Sequence, residues 1–435
     1  MRSWLFLILA FLALPVQAAT VERVVSPNGI EAWLVQDHLN PIIDMEITFA
    51  GGASQDPASR LGLSSMVAGL LDEGAGPLNS QAFQGKLEAL AVELSFESGK
   101  DHFRGHLKTL TNNKVEAFEL FRLSLTQPRF DAEALDRIRA QTLVELSHER
   151  QDPNAIASRE WFRLMFPNHA YGRESDGSEA SVKSITKADL KGYVGKALAR
   201  DVLTIGVAGD ITPEELGPIL DRVFGALPAQ HKGSDIADID VARTVGTVVV
   251  PLDIPQSVAI FGAQGFKRND PDWFPALVMN YILGGGGFSS WLTEEVREKR
   301  GLAYSVYTHL EPLRHTGLLV GAVATRNEKL AQSLDIIKEQ WVRMRDQGPS
   351  DQELDDAKTY LIGSFPLQLD STAQVAALMV QLQSDHLGQD YLLHRNDLIR
   401  SVTRDDVMRA AKRLLDSDAL GIVVVGQPAG LSEKR

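Results

Sequence analysis

The sequence predicts an α+β protein of two tandem homologous domains, each a mainly antiparallel sheet packed with helices. Two observations carry this reading. A helix–strand unit occurs twice: residues 185–209 align without a gap on residues 402–426, an offset of 217, with eight of 25 positions identical. A period this long is not a solenoid repeat and marks a duplicated domain of about 200 residues. In each half, strand-like segments come first, helical segments follow and an apolar strand returns at the end, the order of an α+β domain rather than of alternating βαβ units.

The elements follow in order. Glu22–Val25, Glu31–Gln36 and Ile42–Phe49 read as strands, Ser59–Asp72 and Asn79–Leu90 as helices, and Val92–Glu97 and His102–Leu107 as strands. Helices are predicted near Lys114–Thr126, Asp131–Arg150 and Ala155–Met165. The repeated unit places a Thr N-cap (Thr186, Thr403) before a helix with acidic residues in its first turn, then a buried strand, LTIGVAG or LGIVVVG. The first copy adds a helix from Thr212, with Pro213 at its first position. The second half opens with strands at Gly246–Val250 and Gln256–Phe261 and a helix at Trp273–Leu283. A glycine run follows, then a helix at Ser290–Glu298 and strands at Ala303–Leu310 and Gly317–Ala324. Helices near Glu328–Gln347 and Asp351–Ser364 complete the pattern.

Four segments result. Residues 1–18 read as a secretory signal peptide: Arg2 supplies the positive start, Trp4–Pro15 the apolar run and Val16–Ala19 a small-residue cleavage site. The apolar run is too short to span a bilayer. Residues 19–228 form the N-terminal domain, 229–243 a polar linker without helical periodicity, and 244–435 the C-terminal domain. Removal of Arg2 takes the net charge from −13 to −14. The chain is expected to be exported, to the periplasm if its source is Gram-negative, without stable membrane insertion.

Composition narrows the chemistry. A net charge of −13 argues against nucleic-acid binding as the main function. With no cysteine, disulfide frameworks, thiolate zinc sites, iron–sulfur clusters and thiol nucleophiles are excluded. H-E-x-x-H, G-x-S-x-G and the P-loop lysine motif are absent. His148-Glu149-Arg150-Gln151-Asp152 has Asp where a second zinc-binding His belongs and reads as a solvated helix end. His102 and His106 are four apart, but DHFRGHLKTL alternates like a strand and no third ligand lies nearby in the chain. Gly284, Gly285, Gly286 and Gly287 read as a flexible loop suited to contacting substrate, with a plain helix–helix linker as the alternative. Arg297 closes a helix, Gly301 breaks it and Tyr304 opens a strand; guanidinium and phenol both donate to carbonyl or oxyanion oxygens.

Together, NGIEAWLVQD, GGASQDPASRLGLSSMVAGLLDEGAG, HAYGRESDG and LGGGGFSSWLTEEVREKRGLAYSV resemble the insulinase/pitrilysin metallopeptidases, and more closely their short-chain, processing-peptidase-like branch. The resemblance covers nearly the whole chain after residue 18. It implies two homologous domains forming half of a clamshell that closes around a peptide. Catalytic members carry H-x-x-E-H, two zinc-binding histidines and a water-activating Glu. Those five positions are here Ser65-Met66-Val67-Ala68-Gly69, so Ser65, Ala68 and Gly69 stand where the His, Glu and His belong. The family's third ligand matches Glu145, and a lone carboxylate does not hold zinc. The family's Arg and Tyr, six residues between them, match Arg297 and Tyr304, which by the resemblance bind substrate backbone and the tetrahedral intermediate.

The resemblance therefore implies a non-catalytic subunit of an exported zinc peptidase, binding no metal itself. It would supply Arg297, Tyr304 and the Gly284–Gly287 segment in trans to an H-x-x-E-H-bearing partner that holds the zinc, with an extended peptide as substrate. Three alternatives remain: an inactive scaffold, a peptide holder using a sheet edge, and an enzyme with relocated ligands among His102, His106, His148 and Glu145.

Overall fold

The computed structural model describes residues 20–242 and 246–431; the signal peptide reading falls outside them, as do three residues around the linker's end. The first half runs β1 (Glu22–Val25), β2 (Glu31–Gln36), β3 (Ile42–Ala50), α1 (Leu63–Ala68), a ribbon of β4 (Gly74–Ala75) and β5 (Leu78–Asn79), α2 (Ser80–Ala89), β6 (Glu93–Ser98) and β7 (His102–Leu110). Then come α3 (Lys114–Thr126), α4 (Ala132–Glu149), α5 (Pro153–Met165), α6 (Glu179–Ser184), α7 (Lys187–Ala197), β8 (Leu203–Gly209) and α8 (Pro213–Phe224). The second half runs β9 (Thr247–Pro251), β10 (Gln256–Gln264), α9 (Trp273–Asn280), β11 (Ser305–Pro312), β12 (Gly317–Arg326), α10 (Leu330–Asp346), α11 (Asp351–Gly363), α12 (Thr372–Ser384), α13 (Tyr391–Ser401), α14 (Arg404–Leu414) and β13 (Gly421–Gly426).

The duplication reappears as topology. One sheet has the order β1-β2-β8-β3-β7-β6 and the other β9-β13-β10-β12-β11. In both, the returning strand (β8, β13) is inserted mid-sheet. It pairs parallel with one neighbour (β2, β9) and antiparallel with the other (β3, β10); every remaining pair is antiparallel. The helices before those strands start alike. Thr186 and Thr403 accept from the N–H of Asp189 and Asp406, whose carboxylates return the bond to the cap.

Alternation along the strands gives each sheet two faces. Ile43, Met45, Ile47 and Phe49 turn inward against Met66, Phe118, Phe121 and Leu220 of the first half's helices. Ala259, Phe261, Ile422 and Val424 do the same against Trp273, Ile337 and Trp341 in the second. The opposite faces are covered reciprocally. Helix α12 of the second half lies on Trp33, Val35 and Ala208 of the first sheet. Helix α5 of the first half lies on Val258, Val425, Leu318 and Val423 of the second. The fits are close: a Cβ on Gly206 would stand 2.2 Å from the Ala376 carbonyl, and one on Gly262 would stand 2.6 Å from the Trp161 ring. Trp161 Nε1 donates to the Gly421 carbonyl at 3.0 Å, and Gln383 Nε2 to the Ile205 carbonyl at 2.8 Å.

Several expectations change. The helix expected at Ser59–Asp72 contracts to α1, because Gly62 takes a left-handed conformation (φ +83°) immediately before it. The buried Asp56 carboxylate then receives the Ser64 N–H at 3.1 Å. The helix expected to Leu283 stops at Asn280 and passes into a π-helical turn, Tyr281–Gly285; that expected at Ser290–Glu298 is a π-helical turn over Thr293–Glu298. Helices α6, α12 and α13 were not anticipated. Among the described residues no helix is long and apolar enough to cross a membrane.

Candidate functional site

The positions that the resemblance matches to the zinc motif, Ser65–Gly69, lie on α1 and its C-cap. Ser65 Oγ donates to Asp176 at 3.0 Å, Ala68 is buried, and Gly69 caps the helix, a Cβ there falling 3.3 Å from Ile138 of α4. Glu145 lies exposed on α4. One hydroxyl already committed to a carboxylate, a methyl group, a bare Cα and a solvated carboxylate do not fit a zinc ion, which takes three protein donors at about 2.0–2.2 Å. Among the described residues no group of three or more His, Asp or Glu is placed to hold a metal.

What surrounds α1 is ionic. Burial pushes the Glu149 carboxyl upward, and the neighbouring Asp176 charge adds to this. Burial also lowers the Lys100 ammonium, opposed by Glu311, Asp176 and Asp101; its Nζ donates to Ser175 at 3.1 Å and stands 4.1 Å from the Phe162 ring centre. The strand histidines serve other ends. Burial drives His102 down to about 4, so its ring is neutral at pH 7. His106 is held upward by its 3.0 Å bond to the buried Asp44, which also accepts from Thr372 Oγ1 at the start of α12. His148 is exposed on α4.

The second set of residues comes together at the sheet edge formed by β11. Arg297 ends the Thr293–Glu298 π turn; Gly301 (φ +57°) reverses the chain, and Leu302 N–H returns to the Val296 carbonyl at 2.9 Å. Tyr304, the residue before β11, thereby stands alongside Arg297. The guanidinium stands over two rings, 4.9 Å from the Tyr304 centroid and 4.7 Å from that of Phe288. Tyr304 is 82 % exposed and Phe288 71 %. Arg297 Nε meets Glu298 at 3.3 Å; its terminal nitrogens have no hydrogen-bond partner among the described residues. Lys299 and Arg300, by contrast, are tied to Glu294 and Glu295.

The glycine run is not an open loop. Gly284 is buried, and a Cβ on it would stand 2.4 Å from Thr308 Oγ1 and 2.8 Å from Thr308 N, so glycine lets the π turn close on β11. Gly285 and Gly287 are exposed, and Gly287 (φ +57°) turns the chain so that Phe288 projects outward. π-Helical turns recur at functional sites, and here two of them present the glycine segment and Arg297. Sequence reasoning did not single out Phe288, Asp176 or Asp56. Phe288 directly follows the glycines, an apolar residue where a polar turn residue is the norm, and that was the available signal.

Comparison with known proteins follows from these features. Residues 184–361 match a family model described as the peptidase M16 inactive domain. The chain is 28% identical over 375 residues to the Non-peptidase homolog YmxG of Helicobacter pylori, covering 85% of each chain. It is 27% identical over 410 residues to an uncharacterized zinc protease of Streptomyces coelicolor, covering 91% of this chain and 87% of that one. The crystal structure of a peptidase M16 inactive domain from Pseudomonas fluorescens superposes with a TM-score of 0.88 at 29% identity, covering 95% of this chain and 99% of that chain.

Proposed function

Since the chain belongs to the insulinase/pitrilysin (M16) metallopeptidase family as an inactive homologue, we propose that it is the non-catalytic subunit of a heterodimeric zinc peptidase. Its partner is a homologue bearing H-x-x-E-H and the zinc. This chain binds the extended peptide and supplies Arg297 and Tyr304 in trans. The complex is exported, the apolar run Trp4–Pro15 addressing this subunit.

The observation that carries the reading is an asymmetry. The metal positions are stripped, while Arg297 is held against Tyr304 and Phe288 with its terminal N–H groups unengaged. A guanidinium and a phenol at an exposed edge are donors awaiting acceptors, and a peptide carbonyl that becomes an oxyanion supplies one. A donor aimed at a developing oxyanion is worth about 2.7–4 kcal/mol of transition-state stabilisation, so a subunit without metal still sets the rate of the pair.

The test is affinity purification of the tagged chain from its native host, with mass spectrometry of stoichiometric partners. A one-to-one H-x-x-E-H homologue, with peptidase activity in the complex and none in the lone chain, is the expected outcome. Recovery of the chain only with itself rejects the heterodimer.

A further inference from the structure

Phe288 is a large apolar ring left mostly in water, on a turn that Gly287 aims outward. Tyr304, the other ring on Arg297, is also exposed, so two large rings lie open side by side, and exposed apolar patches mark interaction sites. One face of Phe288 is taken by the Arg297 guanidinium, and no ring or cation meets the other among the described residues. The charges beside it balance: Glu294, Glu295 and Glu298 against Arg297, Lys299 and Arg300. With no net charge at this edge, a neutral peptide carbonyl meets no electrostatic penalty in accepting from Arg297. Donors and open apolar ring lie within one stack, so a single ligand meets both.

We propose that Phe288 gives this site side-chain specificity: an extended peptide places a backbone carbonyl on Arg297 and Tyr304 and a bulky aromatic or aliphatic side chain against the open face of Phe288. This rests on the reading of the Arg297–Tyr304 edge as peptide-binding. It adds a residue outside that pair and a substrate class, peptides with a bulky apolar residue next to the held carbonyl.

The experiment uses the full chain from residue 19 and two dye-labelled probes, Gly-Ala-Ala-Phe-Ala-Ala-Gly amide and the same peptide with Ala for Phe, read by fluorescence anisotropy. The Phe peptide binds more tightly by roughly two- to ten-fold, the scale of one aromatic pair. Phe288→Ala brings the two peptides to one affinity, Phe288→Leu keeps part of the preference, and Arg297→Ala weakens both alike. A preference that survives Phe288→Ala, or no binding of either peptide to the unaltered chain at millimolar concentration, overturns the proposal. The subunit reading fails separately: a Phe288-dependent preference in a chain that recovers no H-x-x-E-H partner sinks the heterodimer and leaves the specificity site standing.

Discussion

The Arg297 guanidinium stands over two rings, Phe288 and Tyr304, and that contact separates arginine from lysine. A planar guanidinium stacks and presents its N–H edge at once; an ammonium on a flexible stem does neither. In the proposed complex with a catalytic partner, Arg297→Lys is therefore expected to lose nearly as much as Arg297→Ala, about 10²–10³ in kcat. Steady-state kinetics check this, and an Arg297→Lys complex within threefold of the native rate contradicts it. Beside α1 in the first half, Asp56 is buried, and burial holds its carboxyl up at about 7 despite the Ser64 N–H that favours the anion. In the unfolded chain the same group releases its proton near 3.8. Between these values the folded state holds more protons, so the contribution of Asp56 to stability is full below about pH 4 and is lost as pH rises through about 7. Asp56→Asn keeps one acceptor for the Ser64 N–H and removes the proton. Relative to the variant, the native Tm is expected to fall as pH is raised from about 4 to about 7.5; parallel Tm profiles would contradict this.

The two π turns were invisible to residue patterning, since the shift from four- to five-residue bonding depends on how tightly the segment closes on β11. The glycines are legible in the sequence, but only the fold shows what Gly284 approaches: the backbone and hydroxyl of Thr308 on β11. Gly284→Ala drives a methyl into the backbone and hydroxyl of Thr308 and is expected to destabilise by about 1–3 kcal/mol. Gly287→Ala meets nothing within 4 Å and costs only its left-handed conformation, about 1 kcal/mol. Denaturant titration separates the two, and equal costs would contradict the distinction. Helix α12, TAQVAALMVQLQS, buries Ala376, Met379, Val380 and Leu382 and exposes Gln374, Ala377, Gln381 and Ser384. The partner surface for the buried face is the sheet of the other half, and no local pattern names it. Where a helix has one solvated face and a cap, as after Thr186 and Thr403, sequence and structure agree.

Across the whole molecule the two halves are clasped rather than merely tethered. Each sheet has one face packed by its own helices and the other covered by a helix from the opposite half. Trp161 is fully buried against the second sheet although it is encoded in the first half. Trp161→Ala is expected to cost about 3–5 kcal/mol and to lower the stability of both halves together in one transition. Fragments 20–242 and 246–431, produced separately, each leave part of one sheet face bare; they are expected to bind hydrophobic dye and to recover native circular dichroism on mixing. Independent folding of either fragment would show that the clasp is dispensable.

The sequence by itself determined the duplicated α+β architecture, because periodicity and caps are local properties written in consecutive residues; the parts assigned to Ser65–Gly69 and to Arg297 and Tyr304 are what the resemblance to a known family implies. The tertiary structure decided the reciprocal seating of α5 and α12, the π turns, and the meeting of Phe288 with Arg297 and Tyr304. Those depend on which surfaces remain uncovered after the local elements form, and that is settled only by packing between residues far apart in the chain.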